Sequence, residues 1–213
     1  MTLGPIRPQA DAAHADAAQV TMLELSEVRE GSQIYVMPGA LSASSCAEII
    51  RRFEAQHDAH QRGRIGQQAI LDETIKRSTD LTISGPADWL DVDRRLFQSL
   101  RGALGALQAQ VSFFRGRFKD MGYAIQRTEP GEFYHWHVDG GSHDFADRQL
   151  VAIWYLNDVA SPGGETEFSH QNVKVRAQCG KLLLFPPFWT HEHRGVTVET
   201  GVKYIATTWV AFA

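Results

Sequence analysis

The chain has 213 residues, of which 43% are hydrophobic and 22% are charged, and its formal net charge is −4. These values predict one soluble globular domain, and the lack of a basic cluster argues against a nucleic-acid partner. The sequence contains neither a run of 18 apolar residues nor an N-terminal apolar segment of signal-peptide length, so we expect no membrane partner. Two cysteines, Cys46 and Cys179, are too few for a disulfide framework and favour a cytoplasmic location.

The N-terminal half of the chain predicts a tail followed by mainly helical support. Residues 1–20 are rich in Ala, Asp, Gln and Pro without an apolar period, which predicts a poorly ordered tail. Residues 21–213 are predicted to form a single domain, with the helical support at about residues 40–120. A short strand is predicted at residues 32–37 and a polar loop at residues 57–70.

Two helices are predicted within this support. The first begins at Ser42 or Ser45, because Ser45 to Glu48 has the form of a capping box. Its apolar stripe is Cys46, Ile49, Ile50 and Phe53. The second helix spans about residues 88–113. Its apolar residues recur at helical spacing: Leu96, Phe97, Leu100, Leu104, Leu107 and Val111.

From about residue 121 the chain changes to short β-like runs separated by Gly and Pro. Eight strands are predicted, at residues 123–128, 132–139, 149–157, 166–170, 173–176, 181–185, 191–198 and 203–212. Short strands at this spacing favour a sandwich or barrel, and the lack of strand–helix alternation argues against a parallel sheet. We therefore predict an α+β, mainly β fold: a jelly roll, or double-stranded β-helix, at about residues 121–213, backed by the N-terminal helices.

The strand at residues 131–139, Gly-Glu-Phe-Tyr-His-Trp-His-Val-Asp, carries the strongest chemical signal. Alternation places Phe133, His135, His137 and Asp139 on one face. It places Tyr134, Trp136 and Val138 on the other face, which we expect the helices to cover. Two potential metal ligands of different type, His137 and Asp139, therefore point the same way.

A further imidazole, His191 or His193, lies in the segment 190–195, and the cation Lys203 follows it. Two imidazoles and one carboxylate with a cation nearby form the constellation of a mononuclear non-haem iron(II) site. On these residues alone, a hydrogen-bonded pair of His137 and Asp139 in a wet cleft is an equally good interpretation.

Six ordered blocks of the sequence resemble a known family. They are residues 129–139, 155–159 (Tyr-Leu-Asn-Asp-Val), 163–168 (Gly-Gly-Glu-Thr-Glu-Phe), 180–186 (Gly-Lys-Leu-Leu-Leu-Phe-Pro), 193–196 (His-Arg-Gly-Val) and 201–204 (Gly-Val-Lys-Tyr). Together they resemble the iron(II)/2-oxoglutarate dioxygenases of the prolyl 4-hydroxylase type. The resemblance implies a catalytic domain that uses Fe(II), 2-oxoglutarate as cosubstrate and, as a candidate reductant, ascorbate.

The resemblance also implies roles for the metal-ligating residues. By position, His137, Asp139 and His193 match the family's three iron ligands. His193 is preferred to His191 because the family's basic residue follows the distal histidine by about ten positions, as Lys203 follows His193. The side chains of His191 and His135 are then expected to support a ligand or to line the substrate pocket.

Lys203 matches the cation that pairs with the far carboxylate of 2-oxoglutarate, and Thr207 and Trp209 share its strand face. Tyr155 matches a position where relatives place a hydroxyl near the same carboxylate, although core packing explains Tyr155 and Trp209 equally well. Many relatives carry a tyrosine where this chain has Thr128, a difference that bears on the cosubstrate contacts or on the substrate class.

The implied reaction is hydroxylation with release of succinate and CO2. Asp139 favours hydroxylation, because halogenating relatives lack a carboxylate there. The substrate stays open between a prolyl residue in a peptide, a free amino acid and another small molecule, and a loop at residues 140–148 is predicted to help select it. A zinc hydrolase and a cupin fit the ligand spacing less well, and a non-catalytic binding module on the same scaffold is the alternative function.

Overall fold

Two antiparallel β-sheets and two long helices make up this computed structural model, which describes residues 24–159 and 162–213. The tail predicted at residues 1–20 lies outside the described residues. In chain order the strands are β1 (Ser26–Glu27), β2 (Tyr35–Met37), β3 (Gln61–Arg62), β4 (Thr79–Thr82), β5 (Phe118–Asp120), β6 (Ala124–Thr128), β7 (Tyr134–His137), β8 (Arg148–Tyr155), β9 (Thr166–Phe168), β10 (Val173–Val175), β11 (Leu182–Phe185), β12 (His193–Gly195) and β13 (Lys203–Phe212). The helices are α1 (Ala43–Ala55) and α2 (Leu90–Gln110). The predicted mainly β architecture is confirmed.

The larger sheet has nine strands and the smaller has four. Along the larger sheet the order is β1-β2-β11-β8-β13-β6-β4-β3, and β5 pairs with the C-terminal end of β13. The smaller sheet has the order β10-β9-β12-β7. Neighbouring strands in both sheets are antiparallel, as the absence of strand–helix alternation predicted.

Strand β8 separates two hydrophobic cores, because both of its faces are buried. Ala152 and Trp154 on one face belong to the core beneath the helices. Ile153 and Tyr155 on the other face belong to a second core, which includes Phe168 of the smaller sheet. A strand buried on both faces is expected to be a continuous apolar run rather than an alternating one, as this one is. The second core lies between the two sheets.

Both helices pack against the face of the larger sheet that points away from the smaller one. The residues that they bury in the first core include Cys46, Ile49, Phe53, Leu96, Leu100 and Leu107. Ser42 caps α1, because its hydroxyl oxygen accepts a hydrogen bond from the backbone N–H of Ser45 at 3.1 Å. The helix therefore begins at the earlier of the two predicted positions. In the described part of the chain neither helix combines the length and the apolar character needed to cross a membrane.

Four short strands, β1, β3, β4 and β5, were not predicted, and the cover of β7 was predicted wrongly. Strand β4 reads Thr-Asp-Leu-Thr, which is too polar to mark a strand, and it forms through pairing with β6.

The helices cannot cover Trp136 and Val138, since they pack on the other sheet. The guanidinium of Arg194 lies 4.6 Å from the ring centre of Trp136, and Val138 is 41% exposed. Phe97, predicted in the apolar stripe of α2, is exposed as well.

Gly180 lets the segment before α1 approach the larger sheet, and it provides a test of this packing. Its φ is +78°, and a Cβ there would lie 2.2 Å from the carbonyl oxygen of Leu41. Gly31 has a similar φ of +76° but open space around it. We expect Gly31→Ala to lower the free energy of unfolding by about 1–2 kcal/mol through backbone strain alone. Gly180→Ala should lower it by about 1–3 kcal/mol more because of the overlap. Urea unfolding measures both losses, and equal losses would contradict the close approach.

Candidate metal centre

Three candidate ligands converge on the smaller sheet. His137 is the last residue of β7, Asp139 follows two positions later, and His193 begins β12. Because β7 pairs with β12, His193 lies directly opposite His137. Asp139 Oδ2 is 3.2 Å from His193 Nε2 and 3.9 Å from His137 Nε2. One ligand atom from each residue lies within 4.8 Å of the other two, so the group could hold a metal ion.

Backbone carbonyl groups orient both imidazoles. His137 Nδ1 is 2.7 Å from the carbonyl oxygen of His135, and His193 Nδ1 is 3.0 Å from that of His191. A carbonyl oxygen can only accept, so we assign the proton to Nδ1 in each ring, which leaves the Nε2 lone pair for a metal. The backbone N–H groups of Asp139 and Gly140 both donate to the carbonyl oxygen of Pro187, at 3.1 and 2.8 Å.

The charge states of these ligands suit a divalent cation. Burial, helped by His193, lowers the pKa of His137 to about 3, so its imidazole is neutral at pH 7. Burial alone would raise the pKa of Asp139. Hydrogen bonding with His193, the imidazole of His137 and the guanidinium of Arg148 outweigh that effect and lower the pKa, so the carboxylate is ionised. A metal ion would take the place of the proton that this hydrogen bond requires on His193 Nε2. A neutral imidazole and an ionised carboxylate are the forms that bind metals.

A β-bulge in β7 changes the faces that strict alternation predicts. His137 pairs with His193 but Tyr134 pairs with Gly195, so β7 has one more residue than β12 over this stretch. Tyr134 therefore lies on the side of His137, and the two ring centres are 3.5 Å apart in a stacked arrangement. The prediction that Tyr134 faces away from the ligands is wrong for this reason.

His135 lies within the bulge, and its side chain is exposed. It is not among the residues that line the cavity beside the ligands. The expectation that its side chain forms part of the pocket is therefore corrected. His135 orients the candidate ligand His137 through its carbonyl oxygen alone.

His191 also lies outside the candidate centre. It belongs to a short 3-10 turn, Trp189–His191, so the period of a strand does not apply to it. Its Nε2 is 3.0 Å from the carbonyl oxygen of Ser32, and its Nδ1 is 2.9 Å from Thr190 Oγ1. Both ring nitrogens thus have partners away from the cavity, and the expected pocket role of this side chain is corrected as well.

The candidate centre opens into a cavity of about 420 Å³. Four further residues predicted to contact cosubstrate or substrate line it: Thr128, Lys203, Thr207 and Trp209. Thr128 lies opposite Lys203 in the pairing of β6 with β13. Tyr155 is not a lining residue, and its hydroxyl donates to Thr166 Oγ1 at 2.7 Å. Thr166 does line the cavity, so Tyr155 supports the wall rather than forming it.

Lys203 brings a nearly fully buried ammonium group to this cavity, since its exposed fraction is 6%. Burial lowers the pKa of Lys203 to about 8, although the negative charge of Glu165 acts in the opposite direction. Burial of this cation costs free energy of desolvation, so its position in the cavity wall suits the binding of an anion.

Lys76, Tyr134 and Arg148 line the same cavity and were not predicted from sequence. Lys76 is buried and pairs with Asp80 at 2.7 Å. Arg148 begins β8 and is the last residue of the loop at residues 140–148, which was predicted to help select the substrate. Its place in that loop is the one sequence feature that could have pointed to it. No motif spacing marks Lys76 or Tyr134, because tertiary packing and the bulge bring them to the cavity.

The donor set fits iron(II), and by itself it fits a catalytic zinc ion too. Two imidazoles and a carboxylate with open coordination positions occur in non-haem iron oxygenases and in zinc hydrolases. Within residues 24–159 and 162–213 this is the one group of three or more His, Cys, Asp or Glu side chains close enough to share an ion. Comparison with known proteins favours iron(II).

Residues 123–211 match the family model of the 2OG-Fe(II) oxygenase superfamily, and this segment contains all three candidate ligands and Lys203. Two curated relatives are PKHD-type hydroxylases. One, from Klebsiella pneumoniae (strain 342), is 27% identical over 188 residues, which cover 83% of this chain and 77% of the relative. The other, from Synechococcus sp. (strain CC9902), is 28% identical over 89 residues, which span 40% of this chain and only 39% of that protein.

Solved structures of prolyl hydroxylases have a similar fold. One is a Trichoplax adhaerens prolyl hydroxylase in complex with a peptide fragment of the hypoxia inducible factor oxygen degradation domain. Its TM-score is 0.72 at 16% identity, and the match covers 85% of this chain and 84% of that one. A Pseudomonas putida prolyl-4-hydroxylase has a TM-score of 0.62 at 21% identity, with 84% and 92% covered. At these identities the similarity shows a shared fold.

His193 and His191 form a matched pair of variants for the metal centre. We expect His193→Ala to weaken metal binding by more than about 100-fold, beyond the effect of losing an outer-shell partner. His191→Ala should largely preserve metal affinity, because its carbonyl oxygen is retained. It should lower the free energy of unfolding by about 1–3 kcal/mol, since a buried hydrogen-bond partner is lost. Cobalt(II) titration and urea unfolding give the two quantities, and equal losses of metal affinity would contradict the assignment of His193.

Proposed function

We propose that the chain is a 2-oxoglutarate-dependent hydroxylase of the 2OG-Fe(II) oxygenase superfamily and of the prolyl 4-hydroxylase type, and that it hydroxylates a peptide or small-molecule substrate with release of succinate and CO2. The observation that supports this most directly is the convergence of His137, Asp139 and His193 in the wall of a cavity that also contains the buried Lys203. In this proposal the two sheets form the double-stranded β-helix of the superfamily.

His137, Asp139 and His193 would hold iron(II), with the imidazoles binding through Nε2. When bound there with 2-oxoglutarate, iron(II) supplies the oxidation: the cosubstrate is decarboxylated to succinate and CO2, and one oxygen atom of dioxygen enters the substrate as a hydroxyl group. The protein keeps the ligands oriented. The carbonyl groups of residues 135 and 191 hold the two Nδ1–H groups, and the ring of Tyr134 limits rotation of His137.

Lys203 would pair with the far carboxylate of 2-oxoglutarate, with Thr128 and Thr207 beside it. Lys203 and Thr207 line the cavity from the same strand, and Thr128 lies opposite Lys203 on β6. A lysine acts as a point charge and lacks the two-pronged geometry of arginine. Hydroxyl groups can both donate and accept, so the threonines would supply the directionality that Lys203 lacks.

Apolar residues on the larger sheet would exclude water from the reacting position. Val151, Ile153 and Ile205 line the cavity, and the first two also belong to the core between the sheets. Excluding water strengthens the interaction of Lys203 with a carboxylate, because the local dielectric constant falls. The same exclusion protects the oxidation from side reactions.

Purified protein supplied with iron(II) and 2-oxoglutarate under air tests this proposal. We expect succinate formation that requires both additions. Asp139→Ala should lower it by at least about 100-fold, equivalent to a few kcal/mol of lost metal catalysis. Asp58→Ala removes an exposed carboxylate in the turn after α1 and should behave as the unchanged protein. Without iron-dependent succinate formation, a binding module on the same scaffold would be the better reading.

The pKa of Lys203 predicts that cosubstrate affinity falls at alkaline pH. Burial lowers this pKa to about 8, so below pH 8 the protonated form that attracts a carboxylate dominates in the free protein. Above pH 8 that form becomes scarcer by about tenfold per pH unit, so the apparent dissociation constant of 2-oxoglutarate should rise in proportion. Calorimetry on protein loaded with zinc(II), which does not turn over, measures this constant.

Two lysine variants control that measurement. Lys203→Ala should weaken 2-oxoglutarate binding by roughly 10²- to 10³-fold and remove the rise above pH 8, because a buried carboxylate loses its partner. Lys181 donates to the carbonyl oxygen of Arg176 and does not line the cavity, so Lys181→Ala should keep both the affinity and the rise. Unchanged affinity in Lys203→Ala would place the cosubstrate elsewhere.

A further inference from the structure

Lys203 lies where strand β13 loses a neighbouring strand on one of its two sides. On the intact side, the pairing with β6 sets Lys203 opposite Thr128. On the other side, β8 ends at Tyr155, whose partner is Ile205, two positions after Lys203. The backbone that carries the candidate cosubstrate cation is therefore held by something other than β8 on that side.

The side-chain amide of Asn157 takes this position. Its Oδ1 accepts a hydrogen bond from the backbone N–H of Tyr204 at 2.8 Å, and its Nδ2 donates to the carbonyl oxygen of Val202 at 2.7 Å. These two backbone groups flank Lys203 in the sequence. A primary amide offers a donor and an acceptor side by side, as a peptide group does, so it can replace a neighbouring strand at this point. The backbone N–H only donates and the carbonyl oxygen only accepts, so the two partners fix which way the amide points.

Hydrogen bonds of the adjoining residues hold Asn157 in place. The backbone N–H of Leu156 donates to the carbonyl oxygen of Tyr204 at 2.9 Å. On the other side, Asp158 Oδ1 accepts a hydrogen bond from the backbone N–H of Cys179 at 2.9 Å. Asn157 Nδ2 also donates to the carbonyl oxygen of Asp158 at 3.1 Å. The amide is thus oriented in advance for the two bonds that flank the cation.

The position of the Lys203 backbone matters because a lysine cannot fix its own charge. Its ammonium group ends a flexible four-carbon stem and has no preferred plane for binding a carboxylate. The exposed fraction of Lys203 is 6%, so water does little to screen the charge. The attraction to a carboxylate then depends on the distance between the two groups, and that distance depends on where the backbone is held.

We propose that Asn157 is a positioning residue for the cosubstrate: its amide fixes the backbone on both sides of Lys203 and so places the ammonium group for the far carboxylate of 2-oxoglutarate. This inference rests on the proposed function. It assigns a role to a residue that is not among the described residues lining the cavity. It also explains why the sequence block at residues 155–159 contains an asparagine, since a carboxylate would lack the donor that Val202 requires.

Ser99 provides a matched control for the alternative that Asn157 matters for stability alone. Both side chains are half-buried, and the Ser99 hydroxyl also makes two hydrogen bonds. It donates to the carbonyl oxygen of Ala40 at 2.9 Å and accepts from Trp154 Nε1 at 3.0 Å. Asn157→Ala and Ser99→Ala should both lower the melting temperature, by about 2–10 °C. Of the two, only Asn157→Ala should change cosubstrate binding.

Two ligands separate the position of the cation from the rest of the site. 2-Oxopentanoate has the carbon chain of 2-oxoglutarate with a methyl group in place of the far carboxylate, so it reports binding that does not involve Lys203. Calorimetry on the full chain loaded with zinc(II) measures both affinities. We expect Asn157→Ala to weaken 2-oxoglutarate by at least about tenfold and 2-oxopentanoate by less than about twofold, and Ser99→Ala to weaken neither by more than about twofold. An equal loss for both ligands in Asn157→Ala, or no loss for 2-oxoglutarate, would overturn the proposal.

A double-mutant cycle shows whether Asn157 acts through Lys203. Lys203→Ala removes the ammonium group, so adding Asn157→Ala to that variant should weaken 2-oxoglutarate by less than about twofold more. The same tenfold loss in both backgrounds would refute the positioning role. Should Asn157→Ala fail to fold, Asn157→Ser, which keeps a short polar side chain, carries the same comparison.

The cycle also separates the failure of this inference from the failure of the proposed function. If the unchanged protein binds 2-oxoglutarate no better than 2-oxopentanoate, or if Lys203→Ala keeps that preference, the proposed cosubstrate site is wrong and the inference falls with it. If Lys203→Ala removes the preference and Asn157→Ala leaves it intact, only the role of Asn157 is overturned.

Discussion

The antiparallel pairing of β7 with β12 is the constraint on which the candidate centre depends. It sets His137 opposite His193, and the bulge beside this pair brings Tyr134 against the ring of His137. A slip of one residue would turn an imidazole away from the cavity. The same pairing positions the carbonyl groups that hold each Nδ1. The geometry of the ligands is therefore a property of backbone register, which no single side chain could restore.

The larger sheet contributes the buried cations of the cavity, and the smaller sheet contributes the candidate metal ligands. Lys203, Thr207 and Trp209 project from alternate positions of β13, whose opposite face belongs to the core beneath the helices. Burying the ammonium of Lys203 and the guanidinium of Arg148 costs free energy of desolvation, which a bound anion beside each group would offset. The helices offset this cost indirectly, because they bury the far side of the sheet that carries both cations.

Regular elements were predictable from sequence, and local irregularities were not. Strand β13 matches its predicted range of residues 203–212, because this segment is rich in β-branched and aromatic residues and contains neither Gly nor Pro. Alternation failed in β7, where a bulge leaves no mark in the pattern of residue types. Strand β4 exists through pairing with β6, and Lys76 reaches the cavity through contacts distant in sequence. The candidate ligands were found from motif order, since residue type and spacing carry that information without the fold.

The candidate metal ligands and the residues beside the proposed cosubstrate lie on different sheets, and this separation affects the stability of the protein. His137 and His193 belong to one layer of the sandwich, and Lys203 and Trp209 belong to the other. A molecule held at both ends would tie the layers together, and a hundredfold excess over its dissociation constant adds about 2.7 kcal/mol to the free energy of unfolding. The unliganded chain is then the form most easily opened and degraded, so scarcity of metal or cosubstrate would reduce the amount of enzyme as well as its rate.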